Sequence, residues 1–282
     1  MFSLKGKCAV VTGGGRGIGR GISLAMAEAG ASIVLTGRSE EPLANTAAEI
    51  KKAGGNAVYV PGDICSFATI NAVAKKAIDT YGYIDCWVNN AGSADPKDVG
   101  PAIDMTEEAY DRVVDLNMKW AFFSCQAAAR AMTRGGSIIN ITSRAGSQPS
   151  PLLIHYSSSK AGLDSMTATL AVEWGHKNIR VNAIAPGVVR TERDEHTAMT
   201  RQTRIKRQLD TVPLRRLGKV SDIGYLCVYF AADESEWISG QVVQATGGSR
   251  IPMGILTYLW KANNPEAVLE KTAEKAAAKG KK

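Results

Sequence analysis

Thr12-Gly13-Gly14-Gly15-Arg16-Gly17-Ile18-Gly19 is the stretch on which the fold turns. It follows a short apolar run, Cys8–Thr12, and leads into residues of helical composition, Ile22 through Ala29. Glycines here allow a tight turn and leave the first backbone N–H groups of a helix open to an anion. Gly13, Gly17 and Gly19, with Gly15, Arg16 and Ile18 between them, are spaced G-x-x-x-G-x-G. The common dinucleotide fingerprint is spaced G-x-G-x-x-G instead. No Lys-Ser/Thr pair follows, so the turn is not a P-loop. Directly after a first strand, such a turn reads as a seat for a dinucleotide pyrophosphate.

Outward from the turn, apolar β-branched runs alternate with helical patterns. Strands are expected at Cys8–Thr12, Ser32–Thr36, Ala57–Val60, Asp85–Asn89, Ser137–Thr142, Ile179–Ala185 and Gln241–Gln244. Helices are expected near Glu40–Ala53, Phe67–Tyr81, Thr106–Thr133, His155–His176 and Ser221–Ala231. Strands apolar throughout, each followed by a helix, imply a parallel sheet covered on both faces. The expected fold is α/β: a doubly wound, Rossmann-like parallel sheet of about seven strands in a single domain. Residues 1–250 form that domain and 251–282 a C-terminal extension. Val188–Leu217 reads as a loop-plus-helix insertion over one end of the sheet, and the Ala/Lys/Glu-rich tail from Pro265 as a short helix.

The chain has 282 residues, 45% hydrophobic and 22% charged, which is ordinary globular usage and excludes a disordered chain. No run approaches the ~18 apolar residues of a membrane span. Met1–Lys7 runs straight into a strand, so no signal peptide fits. Five scattered cysteines without a C-x-x-C read as reduced thiols of a cytoplasmic protein. With three separated histidines they offer no metal site. The net charge is +7. Residues 190–219 hold nine Lys/Arg against four Asp/Glu, and residues 266–282 five against three. The rest of the chain is neutral, so the basicity belongs to one loop and the tail. Nucleic-acid binding would need a groove-reading helix or a basic stripe with interleaved aromatics, and neither is present. Local charge of this kind suits steering of a phosphorylated cofactor or acidic substrate.

Tyr156 and Lys160 are four residues apart on an expected helix and share a face. A free tyrosine, with a pKa of about 10, is a poor acid near neutrality, and a neighbouring ammonium lowers that value. Ser143 follows the expected strand Ser137–Thr142, at the sheet end where a binding crevice opens. Asn117 lies among Val113, Val114, Leu116 and Met118, where an amide must find hydrogen bonds. The Thr12–Gly19 turn, Asn89-Asn90-Ala91-Gly92, Asn117, Ser143, Tyr156-Ser157-Ser158-Ser159-Lys160 and Pro186-Gly187 occur in that order. With these, residues 4 to 250 resemble the short-chain dehydrogenase/reductase family, in the manner of carbonyl or 3-oxoacyl reductases and hydroxysteroid dehydrogenases.

The resemblance implies an oxidoreductase that interconverts a ketone and a secondary alcohol with a nicotinamide cofactor. Asn117, Ser143, Tyr156 and Lys160 are then the catalytic set. Ser143 and Tyr156 bind the carbonyl oxygen, and Tyr156 donates the proton. Lys160 tunes Tyr156, contacts the nicotinamide ribose and links through water and Asn117 to solvent. In the family this asparagine disturbs its helix locally. Gly13, Gly15, Arg16, Gly17, Ile18 and Gly19 hold the pyrophosphate, and Asp63 and Ile64 contact the adenine. Asn90, Ala91 and Gly92 wall the cofactor, while Pro186, Gly187, Val189 and Thr191 border the nicotinamide amide. A homotetramer or dimer is also implied.

Cofactor choice is read after the second strand, where an acidic residue binds the ribose hydroxyls of NAD(H). Here Gly37 takes that place, Arg38 follows, and Arg16 lies in the glycine turn. Two guanidiniums and no carboxylate suit a 2′-phosphate, so NADP(H) is preferred over NAD(H). Substrate contacts are expected from Gln148, Pro149, Leu152 and Leu153, and from Val188, His196 and Met199. Their apolar share favours a small-molecule ketone or alcohol of moderate size. His155 adjoins Tyr156, but adjacent helical residues face different ways. The last strand ends in Thr246-Gly247-Gly248, where the family carries D-G-G. Ile251–Trp260 is rich in large apolar groups and reads as core packing, a subunit contact or a flap near the substrate. A cofactor-sensing protein without catalysis would not need all four of Asn117, Ser143, Tyr156 and Lys160. A nucleotide-sugar epimerase of the related extended family would show T-G-x-x-G-x-x-G and a larger C-terminal domain, and neither is here.

Overall fold

The structure is a computed structural model, described here for residues 2–192 and 212–249. Its strands are β1 (Cys8–Thr12), β2 (Ser32–Gly37), β3 (Asn56–Pro61), β4 (Cys86–Asn89), β5 (Gly136–Ile141), β6 (Ile179–Pro186) and β7 (Val242–Ala245). All pair in parallel, in the order β3-β2-β1-β4-β5-β6-β7. The helices are α1 (Gly17–Glu28), α2 (Glu40–Lys52), α3 (Phe67–Tyr81), α4 (Glu107–Val114), α5 (Trp120–Ala131), α6 (Ile154–Trp174) and α7 (Val220–Ala231).

Alternation along the strands divides the core in two, because successive strand side chains point to opposite faces. Ala9 and Val11 of β1 join α1, α2 and α7 through Ile22, Met26, Leu43 and Ile223. Cys8 and Val10 join α3, α5 and α6 on the other face through Val73, Cys125 and Leu170. Helices on both faces make the sheet doubly wound, as expected. β1 is flanked by β2 on one side and β4 on the other, so the chain leaves their C-terminal ends in opposite directions. That reversal opens a crevice between the loops after β1 and β4.

Helix limits differ from the sequence reading in two places. The sequence expects the first helix at Ile22, but α1 begins at Gly17. Glycine disfavours helix interiors, yet packing overrides that here. A Cβ on Gly21 would overlap Val220 of α7, and one on Gly224 would lie 2.7 Å from the Ala25 methyl. The second difference is a break in the expected Thr106–Thr133 helix. It becomes α4, a wide π turn over Asp115–Lys119, and α5. Elsewhere the match is close, and α3 ends at Tyr81 because Gly82 turns left-handed at φ +85°.

Of the expected insertion, only the base is described: Val189 bridges Gly218, and Arg190 N–H donates to the Gly218 carbonyl at 2.8 Å. His196, Met199, the insertion's helix and the extension 251–282 lie outside the described residues. Among the described residues, no helix is long and apolar enough to cross a membrane, and no cluster of potential metal ligands occurs.

Candidate active site

The C-terminal ends of β1, β4, β5 and β6 bring the candidate residues to one edge of the sheet. At β1, Thr12 acts as a hub. Its hydroxyl accepts the N–H groups of Asn90 and Ala91, both at 2.9 Å. Its carbonyl accepts the Asn90 amide at 2.8 Å. The two loops that wall the crevice are thereby tied together.

The glycine turn is packed against itself. Gly13 and Gly17 have φ of +66° and +54°. A Cβ on Gly19 would overlap the Gly13 carbonyl oxygen, and one on Gly13 would lie 2.8 Å from Asn90 Nδ2. Gly15 faces the start of α2, where a Cβ would come within 3.0 Å of Leu43 N. Ile18 packs on the α1 side of the core. The Gly17 N–H donates to the Glu192 carboxylate at 3.0 Å, and Arg20 meets the same carboxylate at 3.4 Å. An anionic group thus lies on the helix terminus. Thr191 is beside it, 3.5 Å from where a Gly17 Cβ would stand.

Further along the edge, Asp63 accepts the Cys65 N–H at 2.9 Å and Ile64 is buried. Arg16 and Arg38 are exposed, and neither makes an ion pair among the described residues. Space beside Gly37 is open: a Cβ there would meet nothing closer than Leu43 Cδ2 at 3.7 Å. Pro186 ends β6, and Gly187 N–H donates to the Ala245 carbonyl at 2.9 Å.

Asn117, Ser143, Tyr156 and Lys160 come from three separate segments. Asn117 sits in the π turn, wholly buried. Its Nδ2 donates to the Val113 carbonyl and to the Ser93 carbonyl, each at 2.8 Å. The first bond takes the carbonyl that an α-helical Asn117 N–H would use, which is the local reason for the break. Its Oδ1 has no partner. That oxygen and Lys160 Nζ converge on Gly92, at 2.6 Å and 3.0 Å from the place of a Gly92 Cβ. Gly92 is therefore small by necessity, since any side chain would fill the space between amide and ammonium.

Ser143 follows β5, with its hydroxyl accepting the Ala145 N–H at 3.1 Å and lying close to the Tyr156 phenol. Lys160 Nζ lies 5.7 Å from the centre of the Tyr156 ring and donates to the Ile141 carbonyl at 3.0 Å. Burial lowers the Lys160 pKa to about 8, opposed by the Asp164 carboxylate. The sequence leads one to expect a lowered Tyr156 pKa. In the protein alone burial dominates and raises it, while the neighbouring Ser143 hydroxyl acts downward. His155 is fully buried, and neither ring nitrogen has a partner. Val188 lines a cavity of about 340 Å³ with Val212, Leu214, Gln244 and Thr246, a lining that does not include Ser143 or Tyr156.

Sequence matching decides the family. A family model described as enoyl-(acyl carrier protein) reductase matches residues 13–250. A 7α-hydroxysteroid dehydrogenase of Escherichia coli is 36% identical over 247 residues, covering 87% of this chain and 94% of that one. The chain belongs to the short-chain dehydrogenase/reductase family. Its relatives in that family include a hydroxynaphthalene reductase-like protein of Metarhizium anisopliae, 38% identical over 259 residues, with 88% of this chain and 96% of the other covered. A solved 7α-hydroxysteroid dehydrogenase, complexed with NADH and 7-oxo glycochenodeoxycholic acid, superposes with a TM-score of 0.81 at 35% identity. The match covers 87% of this chain and 95% of that one. A short-chain type dehydrogenase/reductase from Mycobacterium marinum superposes equally well, TM-score 0.81 at 33% identity, over 89% and 98% of the chains. This chain is thus an oxidoreductase of the dehydrogenase and reductase type.

Sequence reasoning missed three residues of this edge. Thr12 entered only as part of a motif, although it holds both loops. Gly14 is required by Leu35, whose Cδ2 would lie 2.6 Å from a Gly14 Cβ. Asp164 had a signal, the same four-residue spacing from Lys160 that links Lys160 to Tyr156.

Proposed function

We propose that this enzyme reduces a cyclic ketone of moderate size to a secondary alcohol, and catalyses the reverse, with NADP(H) preferred over NAD(H). The observation that carries the reading is the convergence of Ser143, Tyr156, Lys160 and Asn117 at the crevice beside the glycine turn. Relatives named for hydroxynaphthalene and hydroxysteroid substrates support the ring system.

The residues fit a nicotinamide dinucleotide. The α1 terminus already accepts a carboxylate on the Gly17 N–H, the chemistry a pyrophosphate oxygen requires. The orphaned Asn117 Oδ1 faces Lys160 across Gly92, room suited to a bridging water. When bound, the nicotinamide supplies or accepts the hydride. Gly13, Gly15, Arg16, Gly17, Ile18 and Gly19 would hold the pyrophosphate. Asp63 and Ile64 would hold the adenine, and Asn90, Ala91 and Gly92 the middle of the cofactor. Pro186, Gly187, Val189 and Thr191 would border the amide.

Ser143 and Tyr156, neighbours at the end of β5 and on α6, would present two hydroxyls to one substrate oxygen. Tyr156 donates its proton to that oxygen in reduction and takes it back in oxidation. Lys160 places positive charge near the phenol and so favours its ionised form. Asn117 anchors the water through which the proton exchanges with solvent. Arg38 and Arg16, which make no ion pair among the described residues, with no carboxylate at Gly37, favour a 2′-phosphate. The cytoplasmic location, the homo-oligomer, the single domain over 1–250 and its 251–282 extension belong to the same proposal.

A panel of ketones tests the activity, including 2-tetralone, a 7-oxo bile acid and linear ketones, each with NADPH and NADH. Turnover confined to linear ketones would reject the substrate class. Tyr156→Phe should bind NADPH normally and lose turnover by a factor on the order of 100 to 10,000. Retained turnover would remove Tyr156 from its role. Gly37→Asp should shift the cofactor ratio toward NADH about tenfold, the effect of ~1.4 kcal/mol. An unchanged ratio would reject the phosphate clamp.

A further inference from the structure

Asp164 stands one helical turn beyond Lys160 on α6, as Tyr156 stands one turn before it. Its carboxyl forms no ion pair within 4 Å among the described residues. Oδ1 is buried without a hydrogen-bond partner. The Thr142 hydroxyl, which donates to the Ile184 carbonyl at 3.3 Å, lies close enough to act downward on the carboxyl's proton affinity, while burial raises it. Thr142 follows Ile141, whose carbonyl holds the Lys160 ammonium at 3.0 Å. Lys160, bonded to the end of β5, and Asp164 therefore lie one turn apart on the same face of α6. The loop carrying Ser143 closes over this turn only because residue 146 is glycine. A Cβ there would come within 3.1 Å of Asp164 Oδ2 and 2.9 Å of Ala161 N. A carboxylate held in this way, with one oxygen unsatisfied, costs stability that an apolar residue would not.

The reading of Tyr156 and Lys160 above is the basis of the next step. We propose that Asp164 is a positioning residue for that pair: its carboxylate is the countercharge that keeps the buried Lys160 ammonium protonated. Other charges nearby are engaged elsewhere. Arg144, on the loop over this turn, reaches Ser249 at 3.3 Å. Arg180 of β6 donates to the Phe230 and Ile238 carbonyls. Asp115 and Lys119 of the π turn pair with each other. On α4, Arg112 pairs with Asp98, and Glu107, Glu108 and Asp111 are exposed. His155, one residue before Tyr156, is buried with neither ring nitrogen partnered. Burial draws the Lys160 pKa down to about 8, and among the described residues Asp164 is the group acting upward on it. Losing the carboxylate therefore brings the loss of the ammonium closer to neutrality. With a neutral Lys160, the Tyr156 phenol ionises at higher pH.

The test titrates the full chain saturated with NADP+ and follows the tyrosinate absorbance band. Subtracting the Tyr156→Phe protein isolates the Tyr156 transition, and no substrate is needed. Asp164→Asn keeps the shape but removes the charge. It should move the transition to higher pH by about one unit, the size given by an opposite charge at ~4–6 Å. Asp164→Glu should return it toward the wild-type position. A transition unmoved in Asp164→Asn overturns the proposal, whatever the variant does to stability. If wild type and Tyr156→Phe titrate alike, the assignment of Tyr156 itself has failed and the proposal falls with it. Should Asp164→Asn not fold, Asp164→Ser carries the same expectation. Failure of both to fold, with Asp164→Glu folded, would assign the carboxyl to stability and also overturn the proposal.

Discussion

The two ends of the crevice are made differently. At the glycine turn, small residues and backbone groups make the shape. Gly13, Gly14, Gly15 and Gly19 each meet a neighbour that a Cβ would crowd. The Gly17 N–H meets an anion. At the catalytic end, buried polar side chains from the π turn, β5 and α6 converge, and two of them carry costs. Lys160 is an ammonium held away from water, and Asn117 Oδ1 has no protein partner. The first end is built to be stable in its shape. The second carries a cost in stability that the proposed chemistry would explain, since burial adjusts proton affinities.

Three substitutions break or sharpen that contrast. The largest effect belongs to Gly19→Ala. Its Cβ would overlap the Gly13 carbonyl oxygen, which is backbone and cannot rotate away. A cost of about 3 kcal/mol, the upper end of overpacking, should weaken cofactor binding on the order of 100-fold. Calorimetric titration with NADPH measures it, and unchanged affinity would mean that the turn is less rigid than its packing indicates.

Lys160→Met should separate stability from activity. The native pKa of about 8 lies below the ordinary 10.5, so the unfolded chain binds more protons between those values. Stability then rises with pH through that window, and the full burial penalty applies below pH 8. Removing the ammonium should therefore raise stability by roughly 1–3 kcal/mol at neutral pH, after the lost Ile141 bond is subtracted. The gain should shrink as pH climbs toward 10.5, while turnover is lost throughout. Urea unfolding at pH 7 and pH 10 reads both. A variant less stable at pH 7 would show that the ammonium's contacts outweigh its burial.

Thr12→Val gives the smallest change. It keeps the shape but leaves the Asn90 and Ala91 N–H groups without their acceptor. The expected loss is about 1–2 kcal/mol. Thermal unfolding should register it, with cofactor affinity falling in parallel as the β1 and β4 loops separate. A stability loss with cofactor affinity intact would limit the hub to the fold.

Local signals were legible in the sequence. Each strand was found within a residue or two, because a strand buried on both faces must be apolar along its length. Tyr156 and Lys160 could be paired from their spacing, since a helix turns every 3.6 residues. The break at Asn117 was expected from the family resemblance rather than from the residues, because its cause is a side chain competing for the Val113 carbonyl. The start of α1 was misplaced because glycine content argues against helix. Only α7, some 200 residues along the chain, supplies the contact that favours it.

By itself, then, the sequence determined the succession of strands and helices, the glycine turn and which side chains are candidates for the reaction. These follow from periodicity and from chemistry within a few residues. The tertiary structure alone decided which loops Thr12 joins, how Asn117 and Lys160 face each other across Gly92, and that Asp164 lies behind the lysine. It also decided that Tyr156 is raised rather than lowered in the protein alone. Burial and long-range contact set proton affinities, and both depend on segments that meet only once the sheet has formed.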